Sequence, residues 1–176
     1  MKKVEHGKTF DRNAANPPAF EIFHNTVTEG YPEHWHTAIE IIMPTRGEYE
    51  VVVGKDSYNL KEGDIIMINS GVVHGMRFVS QGERIVMLVE PGCVENQEEM
   101  ETIFLRLPAI YFKKGDEEDP FYLFLRSQIL ELVREYDNEG AVMTHRICTG
   151  LKELFSEFGR KGFSDANAQN TFGAMK

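Results

Sequence analysis

Seven short runs of β-forming residues crowd the first half of the chain, and they limit what it can fold into more than any other feature. The runs are rich in Ile, Val, Phe and Tyr, and glycine or charged residues separate them: FEIFHNT, TAIEIIM, EYEVVVG, DSYNL, DIIMIN, VHGMRFV and ERIVMLV. Short strands at near-regular spacing with turn residues between them predict an antiparallel sandwich or barrel. We therefore expect the first half to be a small all-β domain.

After this β-rich half the apolar residues change to helical spacing. Stripes at i, i+3 and i+4 predict three helices, over Met100–Leu107, from Asp119-Pro120 to about Gly140, and over about Ala141–Phe158. An aspartate followed by proline is a typical helix start. The last two helices share a short turn and should form an antiparallel hairpin. The predicted fold class is mainly β with a C-terminal α segment.

Composition excludes several classes of protein. The 176 residues include 19 basic and 28 acidic side chains, a net charge of −9. Nucleic-acid affinity comes mainly from clustered Lys and Arg, so this chain alone is not expected to bind DNA. No apolar run approaches the ~20 residues that cross a membrane, and no secretory signal is visible. Cys93 and Cys148 lack metal or redox spacing, so we expect free thiols in a cytoplasmic protein.

Three histidines and one glutamate predict a polar cluster. His34, His36 and Glu40 lie within HWHTAIE, and in a strand their side chains would project to one side. His74 follows about 30 residues later. Three imidazoles and a carboxylate suit one divalent metal such as Zn, Fe, Mn, Ni or Cu. The alternative is a hydrogen-bonded cluster that contacts a ligand without metal.

The same residues resemble the two motifs of the cupin family. The first motif is matched by His34, His36, Glu40 and Gly47, and the second by Gly63, Gly71 and His74. Two positions depart from the usual pattern: Asn69 replaces a proline and Phe78 replaces an asparagine. Neither is a ligand position. The resemblance implies a single cupin, a jelly-roll β-barrel, with His34, His36, Glu40 and His74 as metal ligands.

A wider resemblance covers residues 20–158. A cupin entered through an arm and followed by a helical hairpin is similar to the N-terminal sensing and dimerisation domain of AraC-type transcription regulators. This implies a barrel that binds a small effector, a sugar or a small carboxylate, and a hairpin that pairs two copies. The expected domains are an arm (1–19), a barrel (20–92), a helical dimerisation segment (93–162) and a linker remnant (163–176). DNA would be bound only by a C-terminal module absent from this chain.

Further residues are assigned by position. Ligand contacts are expected from His24, Tyr49, Met76 and Phe78, although any barrel core contains such residues. The expected dimer interface, an apolar edge that could equally be core, is formed by Ile129, Leu132, Leu151 and Leu154. Trp35 should lie under a helix or at the dimer surface. No catalytic residue is predicted. The alternative function is a metal-dependent cupin enzyme, a dioxygenase or a sugar isomerase.

Overall fold

Nine strands and two helices make up the part of the chain that the computed structural model describes, which is residues 19–26, 30–93, 108–115, 119–138 and 143–157. A 3-10 turn, Pro91–Cys93, follows the eighth strand. The elements are β1 (Phe20–Asn25), β2 (Tyr31–His34), β3 (Ile39–Arg46), β4 (Tyr49–Val53), β5 (Asp56–Leu60), β6 (Ile65–Ile68), β7 (His74–Phe78), β8 (Glu83–Val89), β9 (Ala109–Phe112), α1 (Pro120–Asp137) and α2 (Met143–Glu157).

The strands form two antiparallel sheets. One has five strands in the order β1-β8-β3-β6-β9, and the other has four in the order β2-β7-β4-β5. The chain crosses between the sheets repeatedly, for example from β2 to β3 and from β7 to β8, as in a jelly roll. The predicted jelly-roll barrel with a C-terminal helical hairpin is therefore confirmed.

One motif glycine has a clear steric reason. Gly47 lies between β3 and β4 with φ at 80°, a conformation that other residues rarely adopt. A Cβ atom there would also lie 2.7 Å from the carbonyl oxygen of Gln81. Glycine at this position thus lets the β3–β4 turn pack tightly against the β7–β8 turn.

Two apolar cores lie on opposite faces of the five-stranded sheet. Along β3, Ile39, Ile41 and Met43 pack toward the helices, whereas Ile42 lies inside the barrel with Val51. Strand alternation produces this division. We call the first core the outer core and the second the barrel interior. The same sheet therefore contacts both the helices and the contents of the barrel.

The helices begin and pair as the sequence predicts. Asp119 caps α1, since its carboxylate accepts a hydrogen bond of 2.9 Å from the backbone nitrogen of Phe121. Glu135 of α1 pairs with Arg146 of α2 at 2.9 Å. Earlier in α1, Leu132 faces Gly150, where a Cβ atom would lie 2.9 Å from its side chain. As α1 residue numbers fall, α2 numbers rise, so the helices are antiparallel. No described helix is long and apolar enough to cross a bilayer.

The residues expected at the dimer interface occupy a different place. They lie in the outer core of a single chain, with exposed fractions of 1%, 2%, 0% and 0% for Ile129, Leu132, Leu151 and Leu154. The expectation is corrected because the apolar stripes of the hairpin cover the chain's own sheet. Trp35 is 55% exposed and is not covered by either described helix.

Other expectations fall on residues beyond the described ones. The predicted helix over Met100–Leu107, nearly all of the N-terminal arm and the linker remnant are among them. The cysteines are described: both are free, and their Sγ atoms lie 3.1 Å apart. Cys93 follows β8 and Cys148 lies in α2, so the pair joins the end of the barrel to the helical hairpin.

Candidate metal centre

The four residues predicted as metal ligands meet at one end of the barrel. One ligand atom from each of His34, His36, Glu40 and His74 lies within 4.8 Å of the others. Three of the side chains are buried, and His34 is half-buried. We call this group the histidine cluster. It lies between the two sheets, with one edge toward solvent at His34.

The chain brings the cluster together by crossing from one sheet to the other. Strand β2 ends at His34 in the four-stranded sheet, and β3 begins at Ile39 in the five-stranded sheet. His34, His36 and Glu40 therefore do not alternate along one continuous strand, which was our reason for expecting them on one side, although these residues do converge. The backbone nitrogen of Gly71 donates to the carbonyl oxygen of His36 at 2.8 Å and holds the crossing segment. Gly71 thus fixes the crossing close to β7, which carries His74.

Backbone carbonyls fix the tautomer of all three imidazoles. The Nδ1 atoms donate to the carbonyl oxygens of Pro32 at 2.9 Å, Ala38 at 2.9 Å and Val72 at 2.8 Å, for His34, His36 and His74 in turn. A carbonyl oxygen can only accept, so Nδ1 carries the proton. In a neutral ring, Nε2 is then left with a lone pair for a metal.

Two of these Nε2 atoms face one carboxylate oxygen. Oε2 of Glu40 lies 3.1 Å from Nε2 of His36 and 2.9 Å from Nε2 of His74. Burial raises the pKa of Glu40, but the hydrogen bonds with the two imidazoles outweigh it and lower the pKa to about 2. The carboxylate is ionised and can only accept. Each contact therefore requires a positive charge, either a proton on the ring or a metal cation.

The electrostatics of the cluster agree with a site for a cation. Burial lowers the pKa of His74, yet its hydrogen bond with Glu40 outweighs burial and raises the pKa. Burial dominates at His34 and lowers its pKa, which favours the neutral ring. Three imidazole nitrogens and one carboxylate oxygen are a ligand set that Zn, Fe, Mn and Ni accept. The donor atoms of the histidine cluster thus fit one divalent metal.

The residues expected to contact a ligand are divided between two faces. Tyr49 and Met76 lie in the barrel interior, and Phe78 pairs with Tyr49 in the register of β7 and β4. His24 shares its face of β1 with Ile22, which belongs to the outer core. The structure therefore does not bring His24 to the barrel interior, because strand alternation turns it toward the helix-covered side.

Sequence reasoning did not single out Arg84, which is buried inside the barrel with 3% of its surface exposed. Its guanidinium lies over the ring of Tyr49, with 4.8 Å between the central carbon and the ring centroid. In the described part of the chain, Nε and Nη1 of Arg84 and the hydroxyl of Tyr49 have no hydrogen-bond partner. The run ERIVMLV could have indicated this burial, because Arg84 shares a strand face with the apolar residues Val86 and Leu88.

Comparison with known proteins assigns the fold. Residues 25–90 match the family model described as cupin domain. This segment is similar to cupin domains, and both cupin motifs lie inside the matched range. No curated protein matches the sequence significantly.

Solved structures extend the likeness to most of the chain. Apo ToxT K231A from Vibrio cholerae has a TM-score of 0.55 at 13% identity, covering 86% of this chain and 58% of that one. Fatty-acid-bound ToxT from Vibrio cholerae has a TM-score of 0.50 at 12% identity, covering 88% and 56%. The AraC-like activator CuxR has a TM-score of 0.50 at 9% identity, covering 68% and 41%. The resemblance to AraC-type regulators is thus confirmed in the fold, over little more than half the length of ToxT.

Proposed function

We propose that this chain is the ligand-sensing and dimerisation unit of an AraC-type transcription regulator. The supporting observation is that its barrel and helices together share their fold with ToxT over 86% of the chain. A cupin barrel alone is compatible with many functions, so the attached helices carry the argument. DNA would be bound by a module outside this chain, which agrees with the acidic net charge of −9.

In this proposal the barrel interior holds a small effector and the five-stranded sheet relays its presence. An effector inside the barrel would contact inward residues of β3 such as Ile42, while outward residues such as Ile41 contact the helices. A signal requires that the effector bind two states of the protein with different affinities. ToxT, whose fold is similar, has been crystallised with an unsaturated fatty acid. That supports a small-molecule ligand for a protein of this fold.

We also propose that the histidine cluster holds one divalent metal, Zn, Ni, Fe or Mn. Such a metal would supply a Lewis acid that orients an oxygen atom of the effector. The chain's own contribution is to orient three Nε2 atoms through backbone contacts of the imidazole rings and to place the Glu40 carboxylate beside two of them. The half-buried edge at His34 leaves a side through which a ligand could approach.

The dimer surface requires a new assignment, because the residues first expected there are buried. Leu123 and Leu130 of α1 are 47% and 38% exposed and lie seven residues apart, on one face of the helix. We propose this face, which we call the α1 face, as the contact between two copies. It points away from the outer core, so pairing would leave the barrel intact.

A reporter assay tests the regulatory role. The chain is fused to a DNA-binding domain that represses its operator only when it is dimeric, and repression is measured in bacteria. We expect repression with the fusion and none with the DNA-binding domain alone. A fusion that is expressed and folded but does not repress would contradict the dimerisation role.

The complete ligand set also supports a second candidate, a metal-dependent cupin enzyme. The half-buried His34 places one edge of the cluster near solvent, as a reacting substrate would require. Oxygen uptake and sugar isomerisation are measured after loading the chain with Fe(II) or Mn(II). Turnover that disappears in a His36→Ala variant would replace the regulatory proposal with this one.

A further inference from the structure

The guanidinium of Arg84 carries a positive charge and is buried inside the barrel. Arg84 is 3% exposed, and no carboxylate in the described ranges forms an ion pair with it. Its β3 neighbour is Pro44, which offers no backbone N–H and no charge. A guanidinium remains charged at any ordinary pH, and an unpaired buried charge is costly. An anion bound next to Arg84 would therefore stabilise the folded chain.

The surroundings of Arg84 narrow the kind of anion. The hydroxyl of Tyr49, also buried, is unpartnered and can donate a further hydrogen bond. The barrel interior also contains apolar side chains, among them Ile42, Val51 and Val86. One cation and a few donors match a single negative charge, and the apolar walls match a hydrocarbon body. A dianion or a neutral sugar would leave one charge uncompensated.

Glu40 does not form an ion pair with Arg84. Its Oε2 atom is engaged by His36 and His74. In the register of β3 and β8, Glu40 pairs with Leu88, whereas Arg84 pairs with Pro44, four residues along β3. Four residues of strand correspond to about 13 Å. Their backbones are thus separated along the strands, but burial lowers the pKa of Arg84 and the carboxylate of Glu40 is close enough to oppose that lowering. The anion site therefore adjoins the candidate metal centre.

We propose that the barrel binds an organic monoanion, a carboxylate with an apolar body, whose carboxylate pairs with the guanidinium of Arg84 and accepts a hydrogen bond from the hydroxyl of Tyr49. This inference rests on the proposed function, since the anion would be the effector. It names the chemical class of the ligand and the two residues that recognise it. The opposing explanation is a structural arginine that is held only by its stacking on Tyr49.

Thermal unfolding separates the two explanations. Sodium acetate, hexanoate and benzoate are compared with their neutral amides at equal ionic strength, on wild type and on Arg84→Met. We expect at least one carboxylate to raise the Tm of wild type by about 5–10 °C at 100 times its Kd. The amides should have no effect. The variant should not respond to carboxylates, and without ligand its Tm should be at or above that of wild type because the unpaired charge is gone.

Two further variants complete the test. Arg46→Met is the matched control, because Arg46 is an exposed arginine paired with Glu83 and should respond like wild type. Tyr49→Phe keeps the ring under Arg84 and removes the hydroxyl, and should weaken carboxylate binding about 10-fold. The inference is overturned if no carboxylate stabilises wild type, if Arg84→Met responds equally, or if Arg84→Met melts lower or does not fold.

The outcome for this inference is distinguishable from the outcome for the proposed function. A neutral molecule that binds the barrel and changes reporter repression would overturn the anion and leave the regulator standing. Carboxylate binding that depends on Arg84, in a chain that neither dimerises nor represses, would overturn the regulatory proposal and leave the anion site standing.

Discussion

At the scale of single residues, backbone hydrogen bonds determine what the histidine cluster can do. Each imidazole donates from Nδ1 to a carbonyl two residues away, so ring orientation follows from local chain geometry. The ionised Glu40 then faces two Nε2 atoms. A proton or a metal must lie between them, and a metal satisfies all the donors at once.

We expect purified chain to contain about one divalent metal per molecule, and His36→Ala to lose it. Losing a partner outside the ligand shell typically costs 10–100-fold in metal affinity, so losing a ligand should cost at least about 100-fold. Elemental analysis after dialysis measures the content, and chelation should lower the Tm of wild type but not that of His36→Ala. His145→Ala, at an exposed helical site, should behave as wild type. Equal metal content in both variants would contradict the site.

The sequence allowed the four cluster residues to be predicted but not Arg84. Motif spacing predicts that His34, His36, Glu40 and His74 form one site, because each motif is a short segment of the sequence. The burial of Arg84 depends on β3, β4 and β8 closing around it, and that arrangement becomes visible only when distant strands are paired. The expected ligand contact of His24 was missed for a related reason, because the face that β1 turns inward depends on its register with β8.

At the scale of elements, the helical hairpin behaves as a cover for the barrel. Its apolar stripes predicted helices correctly, yet a stripe does not reveal whether it packs on its own sheet or on a second copy. Ile129 and Leu151, expected at a dimer surface, pack in the outer core instead. The interface prediction was therefore wrong at the level of partners, although the helices themselves were predicted correctly.

The two cysteines offer a measurable link between hairpin and barrel. Burial and the contact with Cys148 raise the pKa of Cys93 to about 12, so the thiol should react slowly. Diamide at mildly alkaline pH should take up the two protons and two electrons and leave a Cys93–Cys148 disulfide. Closing a loop over 55 residues should raise the free energy of unfolding by about 2–4 kcal/mol.

Mass spectrometry without reductant detects this bond, and denaturant unfolding measures its effect. Cys148→Ser treated in the same way should gain no stability. Oxidised wild type that forms only intermolecular disulfides would show that the two thiols do not meet in solution.

At the scale of the whole molecule, pairing of two copies should depend on the α1 face. We expect Leu123→Glu combined with Leu130→Glu to weaken dimerisation at least about 10-fold, because facing carboxylates replace an apolar contact. Light scattering coupled to size-exclusion chromatography reports the mass across a concentration series. Val79→Glu, at an apolar site on the barrel that is 55% exposed, is the control. An unchanged dimer in the double variant would move the contact to another surface.

The five-stranded sheet has a mechanical consequence for any signal that starts inside the barrel. Only one layer of backbone separates Ile42, which faces the interior, from Ile41 and Met43, which face the helices. A small displacement of β3 or β8 would therefore move the helices that pack on them directly, because tightly packed side chains are nearly incompressible. A change inside the barrel would thus reach the helical hairpin through the five-stranded sheet alone, which is a single layer of strands.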